Sequence, residues 1–296
     1  MASKRAGCYG HAMRAMAFAA GVCLALGCSA TEGPLLLATD AGRSQPFALG
    51  PGAGAGAAAA SAATASRVRV RMSLQYQLTG SIDTSVDAQL FVIDLFDASS
   101  QQIADLHAAG RVVIAYLSAG SLEPWREDAA RFPRAAVGSS LADYPNESWL
   151  DIRSSQVRSL IAARLDRARD KGFDGVFPTT LGAYKATTGF QLTIADQLDY
   201  DRFLASEARA RGLSPGLAGD FDIAQQLTAS FDWALAIGCV ADASCDQLGA
   251  MIAQAKPIFD LETRGQRDSV CSQAARLGIP TTLKHPGYDA WRDPCP

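Results

Sequence analysis

The sequence predicts a (β/α)8 barrel of the TIM type, folded as one domain. Three observations carry that expectation. From Arg67 onward, short apolar runs alternate with amphipathic ones. Many of the junctions hold a glycine-containing turn, as parallel β/α units require. Eight or nine candidate strands fit into about 230 residues, the length such a barrel uses. A doubly wound open sheet is the alternative, but no GxGxxG follows the first strand, so the nucleotide-binding form of that sheet lacks its signature.

The elements follow from period and punctuation. Candidate strands are Ser73–Leu78, Gln89–Asp94, Arg111–Leu117, Trp149–Ile152, Phe173–Phe177, Ser214–Leu217, Trp233–Ile237, Pro257–Asp260 and Thr281–Lys284. Helical patterns lie between many of them. Ser155–Lys171 is the clearest, with Val157, Leu160, Ile161 and Leu165 on one face and Arg and Asp on the other. Ile103–Ala109, Asp196–Arg211 and Cys245–Ala255 are similar. Asp97 reads as an N-cap for a helix starting near Gln101. The stretch KGFDGVFPTTLGAY, from Lys171 to Tyr184, anchors the reading. Pro178 has no N–H for a ladder and should end the strand Phe173–Phe177. Thr179 and Thr180 then sit at the strand's C-terminal mouth, where a parallel barrel does its chemistry.

The N-terminus reads as a targeting segment. Lys4, Arg5 and Arg14 precede an apolar run, Ala15 to Gly27, that ends at Gly27-Cys28. Leu24-Ala25-Leu26-Gly27-Cys28 resembles a bacterial lipobox, with Ala25 standing where Leu is usual. Residues 1–27 are therefore expected to be a signal peptide and Cys28 to be lipidated. Cleavage of an ordinary secretory signal nearby, for instance after Ala30, is the alternative. Residues 28–66 read as a tether: GPGAGAGAAAASAATAS has no periodic apolar face. Residues 67–296 read as the folded domain.

Charge and cysteines narrow the class. Cleavage before Cys28 takes three basic residues and no acidic ones from the 27 Lys+Arg and 30 Asp+Glu, leaving a net charge of −6. That balance disfavours nucleic acid as a partner, because no basic run supplies phosphate contacts. It suits a cationic partner. Of seven cysteines, 8, 23 and 28 belong to the targeting segment. The remaining four, Cys239, Cys245, Cys271 and Cys295, suggest two disulfides in an exported chain. Three connectivities are possible, of which Cys239–Cys245 with Cys271–Cys295 is the most local. No CxxC or Cys/His ligand spacing exists, so no metal is expected, and no cofactor is implied. Past the targeting segment, no apolar stretch is long enough to span a membrane, leaving the lipid as the expected membrane attachment.

Several ordered motifs are similar to one family. Tyr76-Gln77-Leu78-Thr79-Gly80-Ser81-Ile82-Asp83, FVIDLFDAS (Phe91–Ser99), LHAAGRVVIAYLSAGSLEPWRED (Leu106–Asp128), WLDIR, KGFDGV, TGFQLTIADQLDY and the Cys239…Cys245 pair resemble glycoside hydrolase family 114. The resemblance covers nearly all of Leu74 to Cys295. It implies a barrel and endo-acting cleavage of α-1,4-linked galactosamine polymers, which are cationic exopolysaccharides.

The departures bear directly on chemistry. The family usually follows KGFDGV with an acid and then Pro-Asp-Asn, where this chain has Phe177, Pro178, Thr179 and Thr180. It usually has Glu-Gln where Ile237 and Gly238 stand. The family's Lys-Asn-Asp appears as Ala218, Gly219 and Asp220. Glycoside hydrolysis needs one carboxyl group to protonate the leaving oxygen and a second as nucleophile or base. Each missing acid or base costs about 10²–10⁴-fold in rate, and Phe, Thr and Ile cannot take over the proton transfer.

The expected function is thus recognition of an amino-sugar exopolysaccharide, with hydrolysis lost or strongly reduced. An active glycosidase using Asp94 with Asp220 or Glu262 is one alternative. A structural envelope protein is another. Expected substrate-binding residues are Tyr76, Gln77, Asp94, Glu123, Trp125 and Tyr184. For Asp94 a loop salt bridge competes with that role. For the loop holding Glu123, Trp125 and Arg126, simple packing and an Arg126–acid pair compete equally. For Asp151 and Arg153 a place at the mouth competes with a structural ion pair, His107 reads as a surface or packing residue, and for His285 a place at the mouth competes with a structural role.

Overall fold

The computed structural model describes residues 66–296. The signal peptide, the Cys28 lipidation and the tether lie outside the described residues, Ser66 excepted.

In chain order, β1 (Leu74–Gln77) and β2 (Leu90–Asp94) lead to helix α1 (Ser100–Ala108) and β3 (Val112–Ser118). A small excursion follows: β4 (Ser121–Leu122), β5 (Val137–Ser140) and β6 (Ser148–Leu150). The β/α alternation then resumes with α2 (Ser155–Lys171), β7 (Gly175–Thr179), α3 (Ile194–Ala210), β8 (Ser214–Leu217) and β9 (Trp233–Ile237). Helix α4 (Gly249–Ala253), β10 (Ile258–Glu262), α5 (Arg267–Leu277), β11 (Thr281–Leu283) and β12 (Asp293–Pro294) complete the chain. Strands β1, β2, β3, β7, β8, β9, β10 and β11 pair in that order, all parallel, with β12 antiparallel on β11. They form a nearly closed (β/α)8 barrel.

The seam between β1 and β11 is bridged by the segment after β11. Leu78 N–H donates to the Tyr288 carbonyl (2.9 Å), and the Gln75 amide donates to the Ala290 carbonyl (2.8 Å). The Lys284 ammonium, buried in the seam, donates to Gln75 Oε1 (3.2 Å) and the Asp289 carbonyl (2.7 Å). The disulfide Cys271–Cys295 ties the chain end back to α5, and Cys239–Cys245 closes the loop after β9. This is the most local of the three possible pairings.

The period of two sorts each strand between layers. Leu74 and Tyr76, Leu90 and Val92, Val112 and Ile114, Phe177, Trp233 and Leu235, Phe259 and Leu261 fill the barrel interior. Their neighbours Phe91, Ile93, Val113, Ala115 and Val176 face the helices. Gly216 on β8 makes room for the Trp233 indole, since a Cβ there would stand 2.3 Å from the ring.

Helix ends match their local chemistry. Ser99 and Gln102 form a capping box on α1, and Thr193 and Asp196 another on α3. Ser154 caps α2, and Gly172 ends it at φ 93. Ser99, rather than Asp97, thus caps α1. Three further expectations need correction. WLDI contributes β6, but to the small antiparallel sheet β4–β6–β5, not to the barrel. Pro178 does not end its strand: β7 runs to Thr179, pairing Ser118 of β3. Its ladder to β8 involves only Gly175 and Val176, so the missing N–H falls where that edge is already free. The run Cys245–Ala255 is a 3₁₀ turn followed by the short α4.

Candidate functional site

A cleft of about 1000 Å³ opens at the C-terminal ends of the barrel strands. Its floor holds Tyr76 (β1), Tyr116 (β3), Phe177 and Thr179 (β7) and Ala218 after β8, with Ile237 (β9) at the rim. One wall is the excursion after β3, carrying Glu123, Trp125, Arg126, Asp143, Tyr144, Glu147 and Trp149. The other is the seam segment, with Pro286, Gly287 and Tyr288. Gly120 lets the excursion leave β3 tightly against β7: a Cβ there would lie 1.8 Å from the Thr180 carbonyl oxygen.

The floor is largely aromatic. Phe177 stacks on Trp233 (centroids 5.6 Å apart) and meets Tyr76 edge-on at 6.3 Å. Tyr76 also meets Tyr116 and Tyr288 edge-on. Burial pushes the Tyr116 phenol up to about 12 and Tyr76 well above its ordinary value, so both stay neutral. At the rim, Trp125, Tyr144 and Ile237 are 57%, 58% and 46% exposed, a large apolar area left open at the mouth.

The electrostatics are lopsided. Asp94, Asp97, Glu123, Asp143 and Glu147 line the cleft, against Arg126 as the lone cation of the lining among the described residues. Arg126 is fully engaged. It donates Nη1 to Asp94 Oδ1 (3.0 Å), Nη2 to Asp94 Oδ2 (2.6 Å), Nε to Glu123 Oε2 (3.0 Å) and Nη2 to Glu123 Oε1 (2.9 Å). Burial pulls its pKa down, but the bonds and charges of the two carboxylates outweigh that and hold it above its ordinary value. Asp94 additionally accepts the N–H groups of Phe96 and Asp97. Glu147 is different. It accepts from Ser121 Oγ at 2.6 Å, and burial raises its pKa.

The expected site residues divide. Tyr76, Asp94, Glu123 and Trp125 line the cleft, as do Phe177, Thr179 and Ile237 at the positions where the family resemblance implies acids. Gln77 does not: its amide donates to the Thr79 and Ser81 carbonyls while its oxygen accepts from Asp83 N–H, closing the loop after β1. Tyr184 also lies outside the lining, its hydroxyl bonded to Asp222. Asp220 is buried at φ 54 against Asp201 and Lys185. Burial raises the pKa of both aspartates, Asp201 the more strongly. Glu262 is buried beside Asp260. It accepts Ala241 N–H, Asp260 accepts Cys239 N–H, and burial, with Glu262 next, pushes Asp260 up to about 8. The structure therefore does not bring Asp94 together with Asp220 or Glu262 in the cleft.

Residues that sequence reasoning passed over include Tyr116, Asp143, Tyr144, Glu147, Trp149 and Tyr288. An acid two residues before Trp149 is the one local signal that pointed to Glu147. Elsewhere, Asp151 and Arg153 pair at 2.8 Å, His107 bonds Asp174 at 2.9 Å, and His285 stacks on Trp291 and bonds Asp289 at 3.0 Å. Among the described residues, no group of three or more His, Cys, Asp or Glu side chains is placed to hold a metal ion, and no helix is long and apolar enough to cross a membrane.

Comparison with known proteins gives concordant results. The family model for glycoside-hydrolase family GH114 matches residues 54–296. The crystal structure of Aspergillus fumigatus Ega3 complexed with galactosamine is 35% identical, with a TM-score of 0.73, over 77% of this chain and 96% of that one. The glycoside hydrolase domain of PelA from Pseudomonas aeruginosa shares the fold at 16% identity, with a TM-score of 0.61, over 75% and 97%. An uncharacterized protein of Deinococcus radiodurans is 28% identical over 196 residues, 60% of this chain and 64% of that relative's length.

Proposed function

Because the chain belongs to glycoside-hydrolase family GH114, we propose that its cleft binds an amino-sugar polysaccharide of the α-1,4-galactosamine type and does not hydrolyse it at an enzyme's rate. One observation carries the second half of this reading. Phe177, Thr179 and Ile237 occupy the strand ends where the resemblance implies the acids, and all three line the cleft. Neither a phenyl ring, a hydroxyl nor a butyl group can protonate a leaving glycosidic oxygen at neutral pH. Asp94 and Glu123 offer no ready replacement, since each spends both carboxylate oxygens on Arg126.

The first half is supported by the lining. Five carboxylates face one guanidinium, so the cleft carries an acid excess that favours a cationic chain. Trp125, Tyr144, Trp149 and Tyr288 present rings on which pyranose faces stack. The galactosamine in the Ega3 complex is a sugar of the same class. We further propose that the chain is exported and held to a membrane by a lipid on Cys28, with residues 28–66 as spacer. The two disulfides suit an oxidising compartment.

The test restores what is missing. The full chain and its Thr179→Asp/Ile237→Glu variant are incubated with soluble deacetylated α-1,4-galactosamine polymer. Bound polymer is measured by sedimentation. The proposal expects both proteins to bind and the variant alone to gain hydrolysis. Failure of the unaltered chain to bind would refute it.

A further inference from the structure

We propose that Glu147 is the group by which the cleft reads a free amine, so that the site discriminates a primary ammonium from its N-acetylated counterpart. The inference deepens the polysaccharide reading above and rests on it.

The remaining acids of the cleft are poorly suited to the task. Asp94 and Glu123 have their charge matched by Arg126 at 2.6–3.0 Å. Asp97 has a side chain 73% exposed, and Asp143 is likewise exposed, so water solvates both and their pull on an ammonium is weak. Glu147 is half-buried, and no Lys, Arg or His among the described residues lies within 4.0 Å of it. Its Oε2 is fixed by the Ser121 hydroxyl at 2.6 Å, while Oε1 receives no donor among the described residues.

The backbone holds this carboxylate still. Glu147 N–H donates to the Tyr144 carbonyl at 2.8 Å, and its own carbonyl accepts from Leu141 N–H at 3.0 Å, closing the turn. The next residue, Ser148, opens β6, where Leu122 pairs Ser148 and Ser121 pairs Trp149. Glu147 is thus positioned between Tyr144 and Trp149, which also line the cleft. An oriented carboxylate with a spare oxygen, beside aromatic faces and without its own counter-ion, suits an –NH₃⁺ group. An acetamido group brings no charge and more bulk. After the larger effect of burial, Glu123 raises the Glu147 pKa and Arg126 lowers it. Arg126 is already matched by two acids, so the field at Glu147 remains negative.

The test titrates the full chain with two soluble α-1,4-galactosamine oligomers, one fully deacetylated and one fully N-acetylated, by calorimetry. The unaltered chain should prefer the deacetylated oligomer by about 10-fold or more, the range of a partly shielded charge-assisted bond. Glu147→Gln should erase that preference and leave affinity for the N-acetylated oligomer within about twofold. Glu147→Asp, which keeps the charge, should retain part of it. Ser121→Ala, which frees the carboxylate without removing it, should lower the preference and decides the matter if Glu147→Gln unfolds. An unchanged preference in Glu147→Gln, or an equal loss for both oligomers, overturns the assignment while leaving polysaccharide binding intact. Absence of binding to either oligomer by the unaltered chain overturns both.

Discussion

Replacing Arg126 by methionine should be among the most damaging single changes in the domain. The substitution keeps much of the apolar stem but deletes four hydrogen bonds that hold Asp94 and Glu123. Those carboxylates have side chains only 6% and 4% exposed, so water cannot take over. Contact of the guanidinium with the Phe96 ring, 4.7 Å from its centroid, is lost as well. Removing one partner from a buried ion network leaves uncompensated charge and costs about 3–5 kcal/mol. For a domain of this size each kcal/mol moves the thermal midpoint by about 2–4 °C, so a drop of about 10 °C follows. Urea denaturation of the oxidised protein, followed by tryptophan fluorescence, measures it. The deficit should shrink in Arg126→Met/Asp94→Asn/Glu123→Gln, which removes the stranded charges as well. A loss below about 1 kcal/mol, the value of an exposed pair, would show that Asp94 and Glu123 are not locked, and they would return as candidate acids for hydrolysis.

Three further outcomes are expected. Thr180 is β-branched yet sits at φ 59, a backbone that Asn adopts with less strain than a β-branched residue. Thr180→Asn should therefore stabilise the fold by about 1 kcal/mol in the same denaturation assay; a loss would refute the strain. Asp260, whose folded pKa is raised to about 8 by burial and by Glu262, holds a proton that the unfolded chain releases near its ordinary value. Its contribution is complete below the unfolded pKa and is lost as pH rises toward 8, so stability should fall from pH 5 to pH 8. Asp260→Asn should flatten that slope, and an unaltered slope would contradict it. Cys271→Ser/Cys295→Ser opens a loop of sequence separation 24 that anchors the barrel seam. It should cost about 3 kcal/mol and raise hydrogen exchange at Leu78 and Thr79, which bond the Tyr288 carbonyl.

The fold was legible where local chemistry decides it. The bounds of α2 match the apolar periodicity of Ser155–Lys171, and the structure adds the caps, Ser154 before it and Gly172 after it. Strands β8 and β9 were bounded by turns and apolar runs that leave little choice. β6 was legible as a strand but not as a member of the small sheet, because WLDI alternates the same way whichever partner it finds. Its partner β4 lies more than twenty residues upstream. The site was legible in its omissions. Phe177, Thr179 and Ile237 stand at strand ends in sequence and at the cleft in space. The partners of the acids that line the cleft were legible only in part: the sequence offered Arg126 an acid and Asp94 a salt bridge, but not one to the other. Arg126 reaches Asp94 across 32 residues, and Ser121 orients Glu147 across 26; only the fold-back of the excursion creates either contact.

The most direct measurement counts new reducing ends released from deacetylated α-1,4-galactosamine polymer by the full, unaltered chain at saturating polymer. Polymer bound and left uncut, with no release above that of a heat-denatured control, is the predicted result. Sustained release at many turnovers per chain would mean that proton transfer survives in a cleft lined by Phe177, Thr179 and Ile237, and would contradict the account.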